Sequence, residues 1–117
     1  MKLLNKVTIE VKKSKFIAYA YEVTDKAEVQ ILFDTLKKEH KKARHIPYAV
    51  KIDNYVKKSD DKEPQNSSGL PIYNIIDKND LNNIVIFVVR FFGGIKLGVG
   101  GLHRAYGNAA KEVIVKK

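Results

Sequence analysis

Six consecutive apolar residues, Ile84 to Val89, stand between polar segments. A continuous apolar run of this length, rich in β-branched residues, is typical of a strand that is buried on both faces. We therefore predict a central strand within Asn82 to Phe92. The chain has 117 residues, of which 44% are hydrophobic, so one domain with one core around this strand is expected.

The composition excludes several classes of protein. The chain has no cysteine, which excludes a disulfide scaffold, a thiolate zinc site and a cysteine nucleophile. No apolar run approaches the roughly 18 residues of a membrane span, and the first residues lack the apolar core of a signal peptide. These features favour a soluble, cytoplasmic protein.

Alternation and helical periodicity predict the remaining elements. Asp25 and Glu28 have the spacing of a capping box at the start of a helix. The predicted elements are strands at Lys6 to Lys12 and Phe16 to Val23, a helix after Asp25, a strand at His45 to Ile52, a short helix within Gly69 to Lys78, the central strand and a helix from Gly101. The stretch from Asp53 to Ser68 is predicted to be a long polar loop. This order predicts an α+β two-layer sandwich, a sheet with its helices on one face.

The net charge is +9, from 22 Lys and Arg against 13 Asp and Glu. A charge of this size favours anionic partners such as nucleic acid, but a lysine-rich composition gives the same number. The lysines at the end of the first helix also have a structural explanation, because cations stabilise a helix C-terminus.

Five of the seven glycines lie between Gly93 and Gly101, where the central strand leads into the last helix. Glycine permits left-handed backbone and close approach of a ligand, and helix N-termini favour anions. Neither the P-loop nor the dinucleotide fingerprint matches, and a tightly packed corner is the alternative explanation. The candidate anion-binding or nucleic-acid-binding residues are Arg90, Gly93, Gly94, Lys96, Gly98, Gly100, Gly101, His103 and Arg104.

A second candidate site is the acidic loop that contains Asp60, Asp61 and Glu63. Three carboxylates within four residues suit Mg²⁺ with waters and a ligand phosphate, or they cap local backbone in a solvated turn. The histidines lack metal-ligand spacing and no nucleophile motif is present. We therefore assign no catalytic residue, no metal and no cofactor.

Two long segments closely resemble the signature of the Impact family, whose bacterial members are YigZ-like proteins. They are SDDKEPQNSSGLPI from Ser59 and IVIFVVRFFGGIKLGVGGLHRAYGNAAKE from Ile84, and two earlier blocks also resemble the family. The resemblance implies a mixed sheet with helices on one face and a left-handed βαβ crossover. That is the fold of the second domain of ribosomal protein S-five and of domain IV of elongation factor G. It also implies that residues 1–117 form a single Impact-type domain, without the C-terminal ferredoxin-like domain of bacterial relatives.

The resemblance implies a role in regulating translation, because eukaryotic relatives act there through protein contacts. Our first hypothesis is a noncatalytic module that binds RNA, the ribosome or a translation factor through Arg90, Lys96, His103 and Arg104. The second is a protein-interaction inhibitor of a translational stress pathway. The third is a magnesium-dependent enzyme that binds a nucleotide or another phosphate ligand. A membrane partner is not expected, and the sequence leaves the partner's identity and the oligomeric state open.

Overall fold

The computed structural model describes residues 1–115 and places the apolar run at the centre of a five-stranded sheet. The strands are β1 (Lys2–Val11), β2 (Ser14–Glu22), β3 (Tyr48–Ile52), β4 (Tyr55–Ser59) and β5 (Ile84–Phe91). The helices are α1 (Lys26–Glu39), α2 (Gly69–Lys78) and α3 (Gly98–Val115). The strand order is β1-β2-β5-β3-β4, so the predicted central strand is confirmed as β5.

The α+β class is confirmed, but the sheet is not mixed. Every neighbouring pair of the described strands is antiparallel. The last strand, β5, inserts between β2 and β3, which run in the same direction and do not pair with each other. This insertion corrects the expectation of a mixed sheet, while the left-handed crossover stays a prediction.

Helices cover both faces of the sheet, which corrects the expectation that all of them lie on one face. Ile86 and Val88 of β5 pack in the cluster that contains α2 and α3. Phe87 and Val89 pack in a second cluster, which contains α1. Because side chains alternate across a strand, these two clusters lie on opposite faces. The six consecutive apolar residues of β5, Ile84 to Val89, require cover on both sides.

The predicted cap of α1 is present. The Asp25 carboxylate accepts a hydrogen bond from the Ala27 amide, and Glu28 closes the capping box by accepting from the Asp25 amide. Val29 and Leu36 are buried on the apolar stripe of this helix. The local pattern therefore fixed both the start of α1 and the face that it buries.

The predicted loop from Asp53 to Ser68 contains a strand. Its first residues turn the chain, and β4 then pairs with β3 as an antiparallel hairpin. This edge strand carries Lys57 and Lys58, both exposed. Lysines are common on edge strands, where they discourage pairing with another chain. Here the two lysines interrupt the apolar pattern from which a strand would be predicted.

The last helix begins at Gly98, three residues before the predicted start at Gly101. Its predicted apolar stripe is buried along Leu102, Ala105, Tyr106, Ala109, Ala110 and Val113. Gly98, Gly100 and Gly101 therefore belong to the first turn of α3 rather than to the preceding loop. Within residues 1–115, neither α3 nor any shorter helix is long and apolar enough to cross a membrane.

Candidate nucleic-acid interface

Nine of the 17 exposed Lys and Arg side chains within residues 1–115 lie at one end of the sheet. At this end β2 and β3 begin and β5 ends, since Lys15 pairs with Phe91 and His45 bridges to Arg90. The β1–β2 turn, the segment after α1, the acidic loop and the glycine segment all meet here. We call this region the basic end. Its exposed bases are Lys12, Lys13, Lys15, Lys38, Lys41, Lys42, Arg44, Lys62 and Lys96.

The acidic loop lies at the same end, but its carboxylates bind groups of the protein. Asp60 Oδ1 accepts hydrogen bonds from the Gly69 amide at 2.9 Å and the Ser68 hydroxyl at 3.0 Å, at the start of α2. Asp60 Oδ2 accepts from the Asn66 amide at 2.9 Å. Burial raises the pKa of the Asp60 carboxyl, but these hydrogen bonds outweigh burial and hold the pKa below its usual value. Asp60 therefore acts as the cap of α2.

Asp61 joins the acidic loop to α1 and to the start of β3. Its Oδ2 lies 2.5 Å from Lys37 Nζ and accepts from the Ile46 amide at 2.7 Å. The Asp61 carbonyl accepts from His45 Nδ1 at 2.7 Å. These bonds hold the loop against the sheet.

Glu63 is buried, and it forms a polar network inside the protein. Arg90 Nη1 donates to Glu63 Oε2 at 2.8 Å and to Oε1 at 3.1 Å, and the Tyr106 hydroxyl donates to Oε2. Burial, reinforced by the charge of Glu63, raises the pKa of the Tyr106 hydroxyl well above its usual range, so it stays a donor. His45 Nε2 lies 3.6 Å from Glu63 Oε1. Glu63 thus balances the charge of Arg90. This ion pair joins the acidic loop to Arg90, one of the predicted anion-binding residues.

The glycines serve different purposes. A Cβ at Gly93 would lie 2.0 Å from the carbonyl oxygen of Lys13, so this glycine lets the segment pack against the β1–β2 turn. Gly94 and Gly98 have φ of +91° and +72°, which glycine adopts without strain. Apart from its chain neighbours and the nearby backbone of its own helix, a Cβ at Gly98 would meet no atom of residues 1–115 within 4 Å, so open space lies over the start of α3.

A cleft of about 350 Å³ opens at the basic end, beside the start of α3. We use the name cationic wall for the lining residues Arg44, Arg90 and Lys96. We use the name apolar wall for the lining residues Phe92, Leu97, Val99 and Leu102; His45 and Glu63 also line the cleft. The Arg44 guanidinium lies 5.1 Å from the centre of the exposed Phe92 ring. The cleft therefore combines positive charge with apolar surface.

The predicted site residues separate into two groups. His103 and Arg104 line a different groove between α2 and α3, together with Lys78 and Lys111. Sequence reasoning missed Arg44 as a member of the cleft. The bridge between His45 and Arg90 explains the position of Arg44, because it places the segment before β3 beside the end of β5.

Fold and site together define an antiparallel α+β domain with a basic end built around a strand-to-helix glycine segment. The chain belongs to the Impact family, because the sequence model of the Impact N-terminal domain matches residues 12–114. It is similar to the IMPACT family member YvyE of Bacillus subtilis strain 168, at 39% identity over 107 residues, covering 89% of this chain and 49% of the relative. The IMPACT family member YigZ of Escherichia coli strain K12 is 31% identical over 113 residues, covering 92% of this chain and 55% of the relative. The chain spans about half the length of these curated relatives.

Two solved structures share the fold. The crystal structure of a hypothetical protein has a TM-score of 0.91 and 30% identity, covering 96% of this chain and 57% of the other. The structure of Yih1, a two-domain translational regulator, has a TM-score of 0.55 and 24% identity, covering 98% of this chain and 46% of the other. The second likeness shows the fold alone.

Proposed function

We propose that this domain binds RNA through the basic end, as a noncatalytic module in the regulation of translation. The nine exposed bases at that end carry the proposal. They come from four segments that are distant in sequence. Of the three carboxylates of the acidic loop, Asp61 pairs with Lys37 and Glu63 with Arg90, and neither of these two bases is among the nine. Lysine and arginine clusters of this kind bind phosphate backbones and release counterions.

The turn between β1 and β2 supports the proposal independently. Lys12 and Lys13 have φ of +47° and +68°, a left-handed backbone that lysine rarely adopts. Two-residue hairpin turns of this kind favour Asn and Gly. Two lysines at strained positions, on the tip of a hairpin beside the glycine segment, indicate that their charge serves a purpose other than stability.

Family membership supports the link to translation. Yih1, which shares the fold, is described as a translational regulator, and the Saccharomyces cerevisiae Protein IMPACT homolog is 29% identical over 111 residues, covering 88% of this chain and 42% of that protein. An RNA-binding domain fits such a role through contact with ribosomal or messenger RNA.

A salt titration tests the proposal. Binding of a labelled 12-nucleotide single-stranded RNA is measured by fluorescence anisotropy between 25 and 300 mM salt. We expect log Kd to rise with log salt concentration with a slope of about 3, as expected for roughly four phosphate contacts. A peptide nucleic acid of the same sequence, which lacks the phosphates, is the matched control and should not bind. Undetectable RNA binding at 25 mM salt would contradict the proposal.

A protein-binding module is the second candidate, because Phe92, Ile95 and Val99 are exposed apolar side chains on the same segment. Such a module would bind its partner with weak salt dependence, and Val99→Ser would weaken that binding. The geometry does not favour the magnesium-dependent enzyme. Asp60, Asp61 and Glu63 bind protein groups, and within residues 1–115 no three side chains of the metal-binding types lie together.

A further inference from the structure

We propose that the cleft at the basic end binds a nucleoside phosphate monoester, as a free mononucleotide or as the 5′-phosphorylated end of an RNA strand. In its second form the inference rests on the proposed function. Its chemistry is more specific than that of the surrounding lysines, because the cleft joins a cationic wall, a helix start and an apolar wall.

The charge in the cleft matches a phosphate monoester. Arg90 balances the negative charge of Glu63, and the Tyr106 hydroxyl donates a further hydrogen bond to the Glu63 carboxylate. Arg44 and Lys96 are exposed at the cleft and add two positive charges. A monoester carries nearly two negative charges at neutral pH, whereas an internal diester carries one. The surplus charge of the cleft therefore favours the end of a strand over its interior.

A buried donor points to a ligand in the same place. The Arg90 side chain is 8% exposed, and its Nε has no hydrogen-bond partner within residues 1–115. A buried donor without a partner is unfavourable, so such groups usually bind a water or a ligand. Arg90 lines the cleft, and an outward shift of its buried side chain on ligand binding would bring this donor to a phosphate oxygen.

The start of α3 provides further donors. The first amides of a helix point away from its body and favour an anion. The turn from Gly98 to Leu102 carries no acidic side chain to compete for them. The open space over Gly98 leaves room for a phosphate to approach the backbone.

The apolar wall is the reason for proposing a nucleoside phosphate as the ligand, and not inorganic phosphate. Phe92, Leu97, Val99 and Leu102 line the cleft together with the cations. A volume of about 350 Å³ is within the range of small-ligand pockets. Inorganic phosphate alone would leave this wall uncovered, so a ribose or base adds contact area.

The experiment compares two RNA strands of the same sequence, one with a 5′-phosphate and one with a 5′-hydroxyl, by anisotropy at 100 mM salt. We expect the phosphorylated strand to bind about tenfold more tightly. A mixture of the four nucleoside monophosphates should compete for binding at millimolar concentration. Nucleosides and inorganic phosphate at the same concentration should compete at least fivefold less well.

Three variants test whether the cleft produces the preference for the 5′-phosphate. Lys96→Ala removes a cation from the cleft, and Lys12→Ala is the matched control, since it removes an exposed cation from the basic end outside the cleft. Lys96→Ala should reduce the preference for the 5′-phosphate to about twofold, whereas Lys12→Ala should weaken both strands equally. Val99→Glu, at a 57% exposed position, should also abolish the preference.

The outcomes separate the two proposals. Equal binding of both strands, with no competition by monophosphates, overturns this inference and leaves RNA binding by the basic end standing. Thermal stabilisation by monophosphates without binding of either strand supports the cleft as a mononucleotide site and overturns the RNA-binding proposal. Equal competition by inorganic phosphate and by monophosphates overturns the role of the apolar wall.

Discussion

Acidic and basic side chains are arranged differently at the two ends of the sheet. The opposite end, where β2 ends and β5 begins, carries the acids Glu22, Asp25, Glu28, Asp53, Asp77 and Asp80 beside the bases Lys2, Lys26, Lys51 and Lys78. One of these acids, Glu28, pairs at the surface with the N-terminal ammonium at 3.0 Å. At the basic end the carboxylates of the acidic loop bind groups of the protein, and nine bases are exposed. The excess of bases over acids is therefore larger at the basic end than at the opposite end.

The backbone shows the same contrast. At the opposite end the non-glycine residues with left-handed backbone are Asp53, Asp80 and Asn83, types that tolerate this conformation. At the basic end they include Lys12, Lys13 and Lys62. Left-handed backbone at these lysines fits the proposed RNA-binding role, because strained backbone is typical of functional segments.

The largest effect is expected when an internal acid at the basic end is compared with a surface acid at the opposite end. Glu63→Gln leaves the charge of buried Arg90 unbalanced and should lower the free energy of unfolding by about 3–5 kcal/mol. Glu22→Gln, at an exposed position, should change it by less than about 0.5 kcal/mol. Urea unfolding measures both. A loss below about 1 kcal/mol for Glu63→Gln would show that the network is not important for stability.

Charge reversal tests whether position or net charge matters for RNA binding. The triple variant Lys12→Glu, Lys41→Glu, Lys96→Glu changes three segments of the basic end and should weaken RNA binding about a hundredfold at 50 mM salt. The control Lys2→Glu, Lys26→Glu, Lys78→Glu makes the same change in net charge at the opposite end, and the expected loss is less than about fivefold. Equal losses in the two variants would mean that RNA responds to total charge alone.

The two helix caps differ in burial and should differ in their effect. Asp60→Ala removes the partly buried cap of α2 and should cost about 2 kcal/mol of stability, whereas Asp25→Ala at α1 should cost about 1 kcal/mol. Because the pKa of Asp60 is lowered in the folded state, its contribution is complete above the unfolded value of about 4 and is lost as pH falls through the folded value. Melting temperatures of Asp60→Ala and the wild type should therefore converge as pH falls from 6 to 3. A gap that stays constant over this range would argue against the charged cap.

The smallest effect is expected at the β1–β2 turn. The double change Lys12→Asn, Lys13→Gly relieves left-handed strain and should stabilise the fold by about 1 kcal/mol, measured by urea unfolding. The same variant should weaken RNA binding about fivefold, because two bases are lost from the basic end. Lys57→Asn, Lys58→Gly on the edge strand is the control for charge. A variant that gains stability without losing RNA affinity would remove these two lysines from the interface.

Local pattern predicted most elements but not their arrangement. The Asp25 cap, the central strand and the α3 stripe were correct, because each depends on neighbours within a few turns. The edge strand β4 was missed because its lysines broke the apolar pattern, and the sides taken by the helices were assigned wrongly. The choice of side depends on pairing between segments that are distant in the sequence, although the unbroken apolar run of β5 already indicated two covered faces.

The sequence by itself determined the family, the α+β class and the segment from Arg90 to Arg104, because a long specific motif and short-range periodicity are local properties. Only the tertiary structure decided which residues come together in the candidate site. Antiparallel pairing brings the end of β5 to the start of β3, so Arg44 joins Lys96 in one cleft, while the helical turn carries His103 and Arg104 to another groove. It also buries Glu63 against Arg90, which removes a negative charge from the surface. The lysines after α1 and those near the glycines, far apart in the chain, become one surface because the sheet places their segments at the same end.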